Sequence, residues 1–193
     1  MTSPRGSGAT RRDAPTHLVL LRGVNVGGKN SLPMVAFSAL LRDAGAIEVR
    51  TYLQSGNALV RVTSAVARTL QAELTGLIAE RNGLSIPAML FTASELREAA
   101  AAHPLAPKDA DPRTLHVAFL AAEPATGAGR LLDPARSPPD RFTLRGRLLY
   151  LSLPNGVGRT RFTSDYLDRA LGTVCTIRNW RTVRALAALA GGA

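Results

Sequence analysis

Apolar positions along this chain fall into two rhythms, short unbroken runs and helical stripes, and their order is what predicts the fold. Residues 17–21, HLVLL, form a run suited to a buried strand. Ser31 and Pro33 then open a helix reaching Gly45, with Phe37, Leu40, Leu41 and Ala44 on one face. EVRTYLQ and NALVRVT flank Ser55-Gly56, a hairpin signal in which glycine supplies positive φ. Val66, Leu70, Leu74, Leu77 and Ile78 mark a long amphipathic helix that Asn82-Gly83 stops. SIPAMLF is a fourth strand, its Pro87 fitting an edge position or a strand beginning. Thr92 with Glu95 is a capping-box pattern for a short helix through Ala102.

The second part of the chain repeats this order. TLHVAFLA is a strand, GRLLD a weak helical segment, and RFTLRGRLLYLSL a hairpin turning at Arg145-Gly146. SDYLDRALG is a helix with Ser164 as its N-cap and Gly172 as its stop. TVCTIR is a strand, and WRTVRALAALA a helix bearing Trp180, Val183, Leu186 and Leu189 on one side. Two β-α-β-β-α-β units predict an α+β protein of two ferredoxin-like halves with antiparallel or mixed sheets. The expected organisation is a disordered arm over 1–15, a first half over 16–102, a linker over 103–112 and a second half over 113–193.

A chain of 193 residues, 46% of them hydrophobic, can bury a core without staples. Its one cysteine, Cys175, excludes an intrachain disulfide, and His17, His103 and His116 lack metal-ligand spacing, so no metal or cofactor is expected. With no apolar run near the roughly 18 to 20 residues of a membrane helix, the expectation is a cytoplasmic protein without a membrane partner. Charge changes the picture more. Of the net +10, residues 141–184 carry nine arginines against Asp165 and Asp168. Such density attracts polyanions or phosphates, although the scarcity of lysine and abundance of alanine also fit a plain compositional bias.

Gly23 to Lys29 reads G-x-x-x-x-G-K, the spacing of a triphosphate loop, but Asn30 stands where a magnesium-binding hydroxyl is needed. Pro33 delays the helix, and hairpins argue against the parallel sheet of that fold. Gly23, Gly27, Gly28 and Lys29 then make either a tight strand-to-helix turn or a loop whose open amides hold a smaller phosphate or a nucleic-acid backbone.

Three further places carry candidate chemistry. Gln54, Ser55 and Asn57 sit at the hairpin tip, where turn geometry accounts for the serine and asparagine but not for Gln54. LPNGVGRTRF, residues 153–162, is a second basic glycine loop, in which Arg159 and Arg161 are either solvated or clamp an anion. In TIRNWRTV, Asn179 reads as a helix cap and Trp180 as core, while Arg178 beside a helix N-terminus can join its amides around an anion. Arg22, Arg159 and Arg178 meeting in one cleft is the sharper form of that reading. Asp165 and Asp168 read as ordinary helix-end charges.

LLRGVNVGGKN, TYLQSGN and TIRNWRTV together resemble the signatures of the domain of unknown function 1697 family, over about residues 17–190. The matching positions are Arg22, Gly23, Asn25 and Gly27, then Gln54, Ser55, Gly56 and Asn57, then Arg178, Asn179, Trp180 and Thr182. The family's late glycine loop continues Ser-Lys-Leu where this chain has Thr160-Arg161-Phe162, which keeps the charge and loses the amine. The resemblance implies two ferredoxin-like subdomains and brings no catalytic residues.

The expectation for function is binding of a polyanionic or phosphate-bearing ligand, nucleic acid first, through the basic glycine loops. The alternatives are an enzyme acting on a small phosphorylated metabolite or nucleotide, held by Arg22, Lys29, Arg159 and Arg178, and a protein-interaction scaffold.

Overall fold

The computed structural model describes residues 14–28, 30–107 and 109–191. All of the expected arm but Ala14 and Pro15, and the candidate ligand Lys29, lie outside these residues. Strand β1 (His17–Leu21) leads through helix α1 (Met34–Asp43) to β2 (Glu48–Tyr52) and β3 (Asn57–Arg61). Helix α2 (Ser64–Asn82), β4 (Ala88–Thr92) and α3 (Ala93–Ala101) complete the first half. The second half runs β5 (Leu115–Leu120), a 3-10 turn (Ala128–Leu131), β6 (Arg141–Arg145), β7 (Leu148–Ser152), α4 (Ser164–Leu171), β8 (Cys175–Asn179) and α5 (Trp180–Leu189).

Each half builds a four-stranded sheet, ordered β2-β3-β1-β4 and β6-β7-β5-β8. Every pairing is antiparallel, so the mixed alternative drops out. Both sheets carry the ferredoxin-like order, and α3 and α5 are additional helices at equivalent places. The unbroken apolar runs of β1 and β5 follow from burial on both faces. In β1, Val19 and Leu21 pack with α1 and α2 while Leu18 and Leu20 face the other half.

That central layer joins the halves. Leu18, Leu20, Met89 and Phe91 of one sheet pack with Leu115, Val117, Phe119 and Tyr150 of the other, flanked by buried residues of α3 and α5. Phe91 meets Phe119 edge to face at 5.1 Å. Burying such a side chain is worth about 1.5–3 kcal/mol, so separating the halves would expose the largest shared part of the core. The open sheet face on which RNA-recognition modules stack bases is therefore interior here.

Local chemistry sets the ends of the elements. Thr92 and Glu95 form the expected capping box, with Glu95 N donating to Thr92 Oγ1 at 3.1 Å and Thr92 N to Glu95 Oε2 at 2.7 Å. Gly83 and Gly172 close α2 and α4 in the left-handed conformation. The cap of α4 is Thr163, not Ser164: Thr163 has extended backbone and accepts from Tyr166 N, while Ser164 is already helical. The weak segment near 129–133 is only one 3-10 turn. The segment expected as a linker holds the buried His103, edge-on to Tyr150 at 5.2 Å and to Trp180 at 5.1 Å.

Candidate functional site

Arg178 lies on the inner face of β8 and is 8% exposed. Its Nε donates to Asn57 Oδ1 at 2.6 Å, Nη1 to Thr176 Oγ1 at 2.7 Å and Ile177 O at 3.0 Å, and Nη2 to Leu21 O at 2.7 Å and Ser55 O at 3.0 Å. A guanidinium has five N–H donors, and all five are taken. No acceptor among them is a carboxylate. Burial pushes the Arg178 pKa down to about 10, so the group is still a cation at neutral pH. Its charge is stabilised by carbonyl and amide dipoles drawn from both halves.

The hairpin tip is built to receive it. Asn57 is fully buried and donates to Tyr52 O and Ser55 Oγ, both at 2.9 Å, which fixes its amide oxygen toward Arg178. Gly56 has φ +72°, and a Cβ there would stand 2.7 Å from Leu21 Cβ, so this position requires glycine. Gln54 is exposed, and its carbonyl accepts from Asn25 Nδ2 at 2.7 Å. Asn25 also clamps Leu32, donating to its carbonyl at 3.0 Å and accepting from its amide at 2.9 Å. The first glycine loop is thus fastened to the hairpin by Asn25. Gly23, Gly27 and Gly28 are exposed at positive φ.

Arg22 turns away from Arg178. It pairs with Asp168, and its Nη2 pairs with Asp165 Oδ1 at 2.6 Å, tying the end of β1 to α4. Asp168 Oδ1 also accepts from Cys175 N at 2.8 Å. The Cys175 thiol is pushed up to about 12, first by burial and then by Asp168. These two aspartates, read from sequence as helix-end charges, serve as the partners of Arg22.

Arg159 and Arg161 belong to a separate cluster. Their loop is held by Ser137 Oγ accepting from Arg161 N at 3.0 Å, by Arg136 Nε donating to Arg161 O at 2.9 Å, and by the buried Phe162. Both side chains are exposed. Asn179 caps α5 by accepting from Arg181 N at 2.9 Å and donates to Arg113 O at 3.1 Å. Trp180 is core, and Thr182 is half-buried in the first turn of α5. The structure therefore brings Leu21, Ser55, Asn57 and Arg178 into one node, and leaves Arg159 and Arg161 outside it.

Two features carry no sequence signature. Arg147, beside the β6–β7 turn, donates to Leu90 O at 3.2 Å, Leu120 O at 3.1 Å and Ala121 O at 3.1 Å, reaches Glu95 at 3.3 Å, and lies 4.1 Å over the Phe91 ring. A cavity of about 260 Å³ at the β2 edge is lined by Arg42, Arg50 and Arg61 with Glu48. Alternation along β2 and β3 puts Arg50 and Arg61 on one face, the one hint available beforehand. Among the described residues there is no group of three or more His, Cys, Asp or Glu placed to hold a metal, and no helix long and apolar enough to cross a membrane.

A family model described as "Protein of unknown function (DUF1697)" matches residues 15–150. The solved structure of a conserved bacterial protein, SP0830 from Streptococcus pneumoniae, is similar at a TM-score of 0.66 and 18% identity, covering 91% of this chain and 98% of that one. At that identity the likeness speaks for the fold. No curated protein matches the chain.

Proposed function

The chain belongs to this family of proteins of unknown function, and since membership brings no activity with it, we propose from its charges that the protein binds a phosphate-bearing polyanion, nucleic acid first. One contrast carries the reading. Arg22, Arg147 and Arg178 are consumed by internal contacts, whereas Arg141 and Arg145 on β6, Arg159 and Arg161, and Arg181 and Arg184 on α5 are exposed. None of these six has a carboxylate within 4.0 Å among the described residues. Unpaired arginines on one half raise the local concentration of anions and offer forks suited to phosphate oxygens.

The binding surface in this reading is the exposed arginine set of the second half, not the Arg178 node, whose donors are filled. A cytoplasmic location is part of the proposal, supported by a lone cysteine that sits buried as a free thiol. Fluorescence anisotropy of labelled single- and double-stranded oligonucleotides across a salt series tests it. Affinity falling log-linearly with salt, and a slope shallower by roughly one to two in Arg159→Ala/Arg161→Ala, is expected from lost phosphate contacts. Weak binding that this double variant does not alter would make the arginine excess compositional.

A further inference from the structure

The geometry points to a second, separate site: the cavity at the β2 edge is a receptor for a phosphate monoester, either a free one or the terminal phosphate of a nucleic-acid strand. Arg50 stands opposite Leu59 and Glu48 opposite Arg61 in the β2–β3 ladder. Directly opposite positions lie about 5 Å apart and diagonal ones about 7–8 Å, so two guanidinium stems rise side by side from one face. Arg42, from the last turn of α1, closes the cavity as a third. Pro15, Ile47 and Val49 complete the wall, and the buried Leu59 is the floor.

Three features select the ligand. The lining carries three arginines against one carboxylate, an excess that a dianion neutralises and a monoanion does not. Arg61 gives Nη2 to Glu48 Oε1 at 2.9 Å, yet its Nε is buried with no hydrogen-bond partner among the described residues. That atom is closed off from the cavity, so the donors Arg61 offers a phosphate oxygen are the remaining Nη groups of its partly exposed guanidinium. The volume of about 260 Å³ admits a phosphate group with part of its ester and is too small for a folded polymer segment. A terminal or free monoester, with three oxygens to share among forked donors, fits where a backbone diester with two does not.

The site stands on its own geometry and makes no use of the six exposed arginines of the second half. Isothermal titration of the full chain with inorganic phosphate, and with one short single-stranded oligonucleotide bearing a 5′-phosphate or a 5′-hydroxyl, tests it. The phosphorylated strand is expected to bind roughly tenfold more tightly than the hydroxyl strand. That preference should vanish in Arg42→Ala/Arg50→Ala, exposed positions whose loss leaves the Arg61–Glu48 pair intact, and persist in Arg159→Ala/Arg161→Ala. It should also decline as pH falls through about 6, where a monoester takes up its second proton while arginine stays charged. Saturable binding of inorganic phosphate without strand binding supports this cavity for a free monoester and removes the polyanion reading. Equal affinity for both strands with no saturable phosphate binding overturns the cavity, and a steep salt slope in that case leaves the polyanion reading standing.

Discussion

Two of the arginine contacts between the halves are related by the internal repeat, and matching positions there hold different residues. His17 faces Val60 and Thr92, while His116 faces Leu151 and Asn179. Thr92 therefore corresponds to Asn179, both of them helix caps, and Phe91 corresponds to Arg178. Likewise Leu20 faces Asn57 and Phe119 faces Leu148, so Gly56 corresponds to Arg147. One junction has Gly56 with Arg178; the other has Arg147 with Phe91. A guanidinium fills each, delivered from the edge strand in one and from the hairpin in the other. Where the edge strand supplies it, the hairpin residue must be small; where the hairpin supplies it, the edge strand offers a ring to cover.

The difference lies in what compensates the charge. Arg147 is partly exposed and has Glu95 and the Phe91 face. Arg178 is buried with neutral acceptors alone, and a buried charge is tolerable only when its donors are filled.

The largest effect should come from Arg178→Ala, which strands Asn57 Oδ1 and Ser55 O and leaves Leu21 O only the Thr176 hydroxyl at 3.4 Å. A loss of about 3–5 kcal/mol is expected, from the cost of breaking a buried charged group away from its partners. Arg178→Lys, with fewer donors and no fork, should recover only part of it in denaturant titration. Gly56→Ala follows, at about 2–4 kcal/mol, because it adds a left-handed backbone penalty to overpacking against Leu21. Arg147→Ala should cost about 1–2 kcal/mol, less than Arg178→Ala, since solvent can replace some of its partners. Equal losses at 147 and 178 would erase the distinction between the junctions.

The smallest effect is a pH trend. Burial lowers the pKa values of His17, His103 and His116 from their ordinary 6.5. The unfolded chain then binds more protons near that pH, so stability is full above about 6.5 and declines as pH falls toward the folded values. Tm measured from pH 8 down to pH 5 should show the decline, and His103→Gln should flatten part of it.

Much of the fold was legible because it rests on local signals. The Thr92–Glu95 box, the glycines at 83 and 172, and the apolar runs of β1 and β5 each act within a few residues. The repeat could be read because both halves follow the same order of elements. The node around Arg178 could not, since its acceptors at Leu21, Ser55 and Asn57 come from more than 120 residues away and two of them are carbonyls that any side chain would leave in place. Arg22 looked like an anion clamp for the same reason: nothing local marks Asp165 and Asp168 as its partners. The capping hydroxyl of α4 slipped by one residue because Thr163 and Ser164 offer the same chemistry.

The measurement closest to the central claim, that the inward-facing arginines hold the halves together while the exposed ones are proposed to meet the ligand, is a paired one. Thermal melting and oligonucleotide anisotropy are recorded on Arg178→Lys and on Arg159→Ala/Arg161→Ala under conditions where both are folded. A Tm several degrees lower with unchanged affinity is expected for the first, and an unchanged Tm with weakened, less salt-sensitive binding for the second. A native-like Tm with binding abolished in Arg178→Lys would contradict the claim.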